Sequence, residues 1–292
     1  MFGGADSAIP DMVPADIEIR QNHFFKPLSW RVGDPSYAGI HWSVKNLFEL
    51  KSAARVLVDG NTFDNVWGDA QTGFAILLKS TNQDGGAPWS GTRDVTFTNN
   101  VVRHAAAGVN LAGRDPHTEQ LMRRVTIANN VFEDIDGLKW KGTRYLFQIV
   151  AGYPKPGTTQ ARGPAYVFMD HNTAIHSNSL LSADGGPSAH FVYTNNIAPR
   201  GPYGVKGGGD SEGTSTLEHY FPGYVFRRNL VVGARATSYP PDNFFPATLD
   251  EVGFVDRAGG NYRLAPGSPY KGTATDGADP GADVDALEAA QR

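Results

Sequence analysis

The residues best suited to chemistry lie in polar stretches that interrupt otherwise apolar runs. One stretch, residues 30–42, combines Trp30, Asp34, His41 and Trp42; another, residues 81–92, carries Asp84 and Trp89. Residues 114–123 hold Arg114, Asp115 and His117, and residues 136–145 hold Lys139, Trp140, Lys141 and Arg144. Residues 153–163 and 207–220 are two further insertions. Four of the five tryptophans lie in or beside these stretches. Flat aromatic rings on a polar surface suit stacking on the apolar C–H faces of sugars, and the same rings can instead pin their own loops. Lys79 is placed to act as a base, with Arg114 neutralising charge and Asp115 or His117 assisting. Inverting hydrolysis would instead need two carboxyl groups roughly 6.5–9.5 Å apart. Asp69, Asp84, Asp115 and Asp184 qualify by type, but no local motif pairs them.

Composition narrows the partners. The net charge of −4 and pI near 6.0, with no run of Lys or Arg, give no footprint for nucleic acid. No apolar stretch reaches the ~18 residues of a membrane span, so no membrane partner is expected. There is no cysteine, which excludes disulfides, thiolate catalysis and Cys-ligated zinc. The first residues lack the basic and apolar regions of a signal peptide; a signal was removed or the natural N-terminus lies upstream. The seven histidines weighed as ligands (His23, His41, His104, His171, His176, His190 and His219) show no metal-ligand spacing, nor do Lys26 and Lys45 have a partner visible in sequence. Asp59, Asp64, Asp134 and Asp170 lie near turns and are read as turn caps. No cofactor is implied, although the many carboxylates leave a Ca²⁺ site open.

The elements that position these residues follow from one repeat. An apolar pair two residues apart, then Asn three residues on, then an apolar or small residue two further, recurs seven times. The copies centre on Asn22, Asn61, Asn100, Asn130, Asn172, Asn196 and Asn229, at spacings of 39, 39, 30, 42, 24 and 33 residues. Apolar residues two apart mark a half-buried strand. The Asn falls where the chain turns, where αL backbone is tolerated, and stacked Asn amides can bond coil to coil. A coil needs roughly 20–25 residues, so the longer intervals carry insertions. The uneven spacing and the few strands per repeat disfavour a propeller. A second strand per coil places Phe48, Leu50, Ile76, Leu78, Val109, Leu111, Phe147 and Ile149 inward. It turns Glu49, Lys51, Leu77, Lys79, Asn110, Gln148, Ser182, Asp184 and Lys206 outward.

The expected fold is therefore all-β, a single-stranded right-handed parallel β-helix (a solenoid) with long insertions on one side. Residues 1–252 would form about seven coils, and residues 253–292 a tail that could cover one end. The run Val56-Leu57-Val58-Asp59-Gly60-Asn61-Thr62-Phe63 and its siblings resemble the pectin-lyase-like superfamily. The tail segments Gly253-Phe254-Val255-Asp256 and 261–269 resemble the close of many bacterial secreted β-helix proteins. The start at Met1-Phe2-Gly3-Gly4 reads as a mid-coil strand, as though the chain were an N-terminally shortened member. The resemblance implies a secreted, extracellular or periplasmic protein acting on a polysaccharide, as lyase or glycoside hydrolase. In such lyases a Lys or Arg takes the proton beside a uronate carboxylate while a cation neutralises that carboxylate. Asp115-Pro116-His117 also resembles the Asp-Pro-His run of alginate C5-epimerases, without the aromatic-Gly-aromatic context before it.

The expected site is a groove over the outward face of the second strands. Lys79, Arg114, Asp115 and His117 are its catalytic members. Its binding surface is expected to use Trp30, Asp34, His41, Trp42, Glu49, Lys51, Trp89, Asn110, Trp140, Arg144, Gln148 and Asp184. A polysaccharide is the expected partner, and the sequence leaves the oligomeric state open. The alternative is a non-catalytic β-helix serving binding or surface structure.

Overall fold

A strand with one apolar face is stable only when that face meets another layer, and a coiled chain supplies the layer from its own later turns. The computed structural model describes residues 2–292 and forms a parallel β-helix of three sheets. Sheet I stacks seven strands, from Ala15–Arg20 to Val225–Arg227, and sheet II stacks seven, from His23–Phe25 to Leu230–Val232. Sheet III stacks Phe48–Leu50, Phe74–Lys79, Ala107–Arg114, Tyr145–Gly152, Ser179–Asp184 and Val205–Gly207. Phe2 makes one isolated parallel bridge to Leu50 at the edge of this sheet.

Register survives the uneven repeat because the insertions leave at corners. Val56, Val95, Val125, Val167 and Phe191 align across sheet I and are all buried. The inward residues of the second strands, from Phe48 to Ile149, are buried as their alternation requires. Aromatic rings stack between coils, with Phe24 over Phe63 at 4.9 Å and Tyr193 over Phe226 at 5.2 Å.

The seven asparagines form one ladder. From Asn61 onward, each Oδ1 accepts the backbone N–H and the Nδ2–H of the Asn in the coil before, as Asn130 does from Asn100 at 2.9 and 3.1 Å. Asn243 adds an eighth rung, bonded by Asn229 at 3.0 Å. One sequence reading is corrected: the left-handed residue is the one before each ladder Asn. Gln21, Gly60, Asn99, Asn129, His171, Asn195 and Arg228 carry φ between 48° and 66°. The ladder Asn is spent on coil-to-coil bonding, and the bend falls on its neighbour.

The tail lies along a flank and not over an end. Residues 233–252 cover the last coil, with Tyr239 buried and its hydroxyl donating to Glu212 at 2.8 Å. The tail then runs back over sheet II, whose outward face is unusually apolar. Val131 packs with Tyr262, Ala282, Val284 and Leu287, while Ile197, Leu230 and Val232 pack with Val252 and Leu264. Polar bonds fasten it, from Asn195 (to the Gly281 N–H) to Gln21, whose amide reaches the Ala290 carbonyl at 3.2 Å.

The long insertions gather at the two edges of sheet III. Residues 26–47 and 136–144 enter it; residues 80–91, 115–122, 153–164 and 208–224 leave it. The outward face of this sheet is thus the bordered surface of the molecule.

Candidate functional site on the outward face of sheet III

Two columns of side chains stand on this face. Register aligns Glu49, Leu77, Asn110, Gln148, Ser182 and Lys206 in one. Lys79, Ala112, Val150 and Asp184 align in the other. Parallel rungs repeat at ~4.8 Å, so the columns form a rigid floor.

At the lower coils the structure gathers Glu49, Lys51, Lys79 and Asp115, and Arg114 ends the adjoining strand. Lys51 Nζ lies 3.8 Å from Glu49 Oε1. Lys79 makes no ion pair among the described residues. Burial, and the like charge of Lys51, push its ammonium below the ordinary lysine value, against the pull of Glu49 and Asp115. Arg114 ends its strand with only 7% of its surface exposed and one donor bonded to the Glu119 carbonyl at 3.0 Å. Burial, and then nearby Arg162, push its pKa down. The strand after it leaves the sheet at Gly152, φ +75°, where a Cβ would meet the Arg114 carbonyl at 2.1 Å.

Four buried polar atoms around this cluster have no hydrogen-bond partner: Glu49 Oε1, Thr81 Oγ1, Asn82 Nδ2 and Arg114 Nε. Buried polar groups are ordinarily satisfied by protein or by ordered water, so these four atoms have bonding capacity left for water or a polar ligand. Asp115 serves first as a loop brace, accepting the Asn82 N–H and the His117 N–H at 3.1 Å each. The His117 ring is exposed and lies beside Gly85. Trp89 is half-buried, its Nε1–H donating to the Met12 carbonyl at 3.3 Å, so it ties its loop to the N-terminal segment.

Farther up the same face, Asn110 Nδ2 donates to Gln148 Oε1 at 2.5 Å. Beyond lies a cleft of about 300 Å³ lined by Gln148, Ser182, Asp184, Lys206, Tyr145 and Tyr203. An adjoining hollow of about 360 Å³ shares the two tyrosines and adds Arg144. Tyr203 is 62% exposed and offers a flat wall.

The remaining expected residues sit at the entering edge of the sheet, away from Lys79. Trp30 and Trp42 pack against each other at 5.7 Å, and Asp34 is spent on the Ser36 N–H and hydroxyl. His41 Nε2 bonds Asp69 Oδ1 at 2.6 Å. Burial pushes the Asp69 carboxyl up, but the Val44 N–H and His41 outweigh it and hold it low. Trp140 is only 4% exposed, with Arg31 4.7 Å and Lys139 5.1 Å from its ring and its Nε1–H donating to Asp134. Its ring holds the loops together and has no free face for a sugar. The four aspartates read as turn caps do not cap their own turns: Asp59 and Asp170 bond Thr and Asn side chains of the next coil and pair with Arg20 and His171, and Asp64 and Asp134 pair with Arg103, His104 and Lys139. Among the described residues no three His, Asp or Glu side chains converge as a metal site would require.

Sequence reasoning missed Thr81, Asn82, Tyr145 and Tyr203 as site members. Tyr145 opens a second strand and was visible as the aromatic beside Arg144. Nothing in the sequence marks Tyr203, on a five-residue connection.

No protein-family model, no curated protein and no solved structure matches this chain. The functional reading therefore rests on these residues.

Proposed function

We propose that this is a secreted, carbohydrate-active β-helix protein of the pectin-lyase-like kind, which holds an acidic polysaccharide along the outward face of sheet III and cleaves it by β-elimination. The observation that carries this reading is the group of unpartnered buried polar atoms beside Lys79 and Arg114, two cations that make no ion pair among the described residues, although Glu49 and Asp115 lie near Lys79. A uronate would supply what they lack. Its carboxylate faces the Arg114 guanidinium, and the depressed lysine takes the proton from the carbon beside it. The C–H electron pair becomes a C=C bond as the bond to the glycosidic oxygen breaks, and that oxygen takes a proton from His117 or water. The open face suits a polymer, with Tyr145 and Tyr203 stacking on further sugar rings.

A second reading is a non-catalytic binder, favoured by the tyrosine cleft, which needs no reacting group. The two separate in one experiment. Pectate, alginate, xylan and glycosaminoglycans are incubated with the protein, and unsaturated product is read by ultraviolet absorbance beside a reducing-end assay. Absorbing ends from an acidic polymer support the elimination. New reducing ends without absorbance mean hydrolysis, and binding with neither signal establishes the second reading.

A further inference from the structure

The entering edge of sheet III carries a feature that a sugar groove does not call for. Val32, Ile40, Trp42 and Leu138 are 55%, 57%, 50% and 68% exposed. Three of the four are branched aliphatic side chains, and they belong to two insertions that are locked together. Arg31, beside Val32, packs on Trp140 at 4.7 Å and donates to the Lys139 carbonyl, next to Leu138. Trp42 packs on Trp30 at 5.7 Å. These contacts tie the segments bearing Val32, Trp42 and Leu138 to one another, and Ile40 lies two residues before Trp42.

The same segments carry charge. Residues 26–47, 67–73 and 136–144 contribute six Lys or Arg and three Asp, and Asp134 just before them pairs with Lys139, which leaves an excess of two positive charges on a chain of net −4. Lys45, Lys141 and Arg144 are exposed, with no acidic partner among the described residues. The three carboxylates are already engaged: Asp34 by Ser36, Asp69 by His41 and Val44, and Asp136 by the Leu138 and Lys139 N–H groups. Exposed apolar tips on segments that also carry unpaired cations match the interface of an anionic bilayer, where tips enter the acyl boundary and cations stay at the headgroups.

We infer that this edge docks the protein on an anionic phospholipid surface, with Val32, Ile40, Trp42 and Leu138 inserting and Lys45, Lys141 and Arg144 facing phosphates. The sequence expectation of no membrane partner came from the lack of a spanning run; docking of this kind needs none. No helix is long and apolar enough to cross a membrane. The inference stands independently of the reaction at Lys79, which lies near the opposite edge.

Co-sedimentation with vesicles of phosphatidylcholine, with and without phosphatidylglycerol, tests it on the whole chain. The expected result is partition onto the anionic vesicles only, weakened by salt, with a blue shift of tryptophan emission that Trp42→Phe reduces. Ile40→Asp with Leu138→Asp should weaken partition by roughly tenfold or more. Lys45→Glu with Lys141→Glu should abolish the preference for anionic lipid. Val255→Asp, at an apolar residue 51% exposed on the tail, should change nothing. An unchanged melting temperature for each variant establishes that it is folded. Absence of partition by the parent protein, retained partition by the Ile40/Leu138 variant, or binding of this edge to a soluble acidic polysaccharide in place of vesicles would each overturn the inference.

Discussion

Removing one central rung of the ladder should cost far more than removing its end. Asn130 is fully buried; its Oδ1 accepts the Asn100 N–H and Nδ2–H, and its Nδ2 donates to Phe97 O, Ala128 O and Asn172 Oδ1. In Asn130→Ala the Asn100 N–H has no remaining partner, and the amides on both sides lose part of theirs. At about 1–3 kcal/mol for each buried group left unsatisfied, the expected loss is about 3–4 kcal/mol. Asn22 occupies the exposed first rung, so water replaces its bonds to Asn61 and Arg20, and Asn22→Ala should cost under about 1 kcal/mol. Urea titrations followed by far-ultraviolet circular dichroism, with the m-value compared between variants, give both numbers. Equal losses at the two positions, or a loss under about 1 kcal/mol at Asn130, would refute the view that the ladder's worth lies in its burial.

Two pH effects follow from the same structure. Lys51 helps to depress Lys79, so Lys51→Ala should raise the Lys79 pKa and move the rising limb of kcat/KM to higher pH; an unmoved limb would remove Lys79 as the base. His176 is half-buried, with both ring nitrogens enclosed, and this burial pushes its imidazole from 6.5 down to about 4. Between those values the unfolded chain takes up a proton that the folded chain does not, so stability is lost as pH falls from about 6.5 through about 4. The loss is worth up to roughly 3 kcal/mol, and His176→Leu should flatten this part of the stability profile by that amount.

The sequence carries the coil interior almost completely, because inward alternation and the ladder Asn are set by local residue type. It does not carry the eighth rung: Asn243 lacks the apolar pair before it, with Ser238 and Pro240 at those positions. The side-lying tail has a signal that was open to reading, the outward Val131, Ile175, Ile197, Leu230 and Val232 of sheet II, which need a cover. Of the candidate site, register sets Lys79 opposite Ala112, two residues before Arg114, and the Asp115 N–H bonds the Ser80 carbonyl next to Lys79. Trp140 illustrates the converse: a tryptophan in a polar insertion reads alike whether it faces a sugar or its own loop. Only the neighbouring Arg31, over a hundred residues earlier, decides between them. Which edge of the sheet an insertion leaves from is likewise invisible until the coils are closed.

On the proposed function, the outward face of sheet III binds the polymer and Lys79 is the base. The most direct measurement pairs cleavage and affinity for Lys79→Ala on whichever acidic polysaccharide the parent protein cleaves. Abolished cleavage, with polymer affinity and melting temperature nearly unchanged, is the predicted result, since an outward lysine contributes little packing. Cleavage at the parent rate would contradict the account.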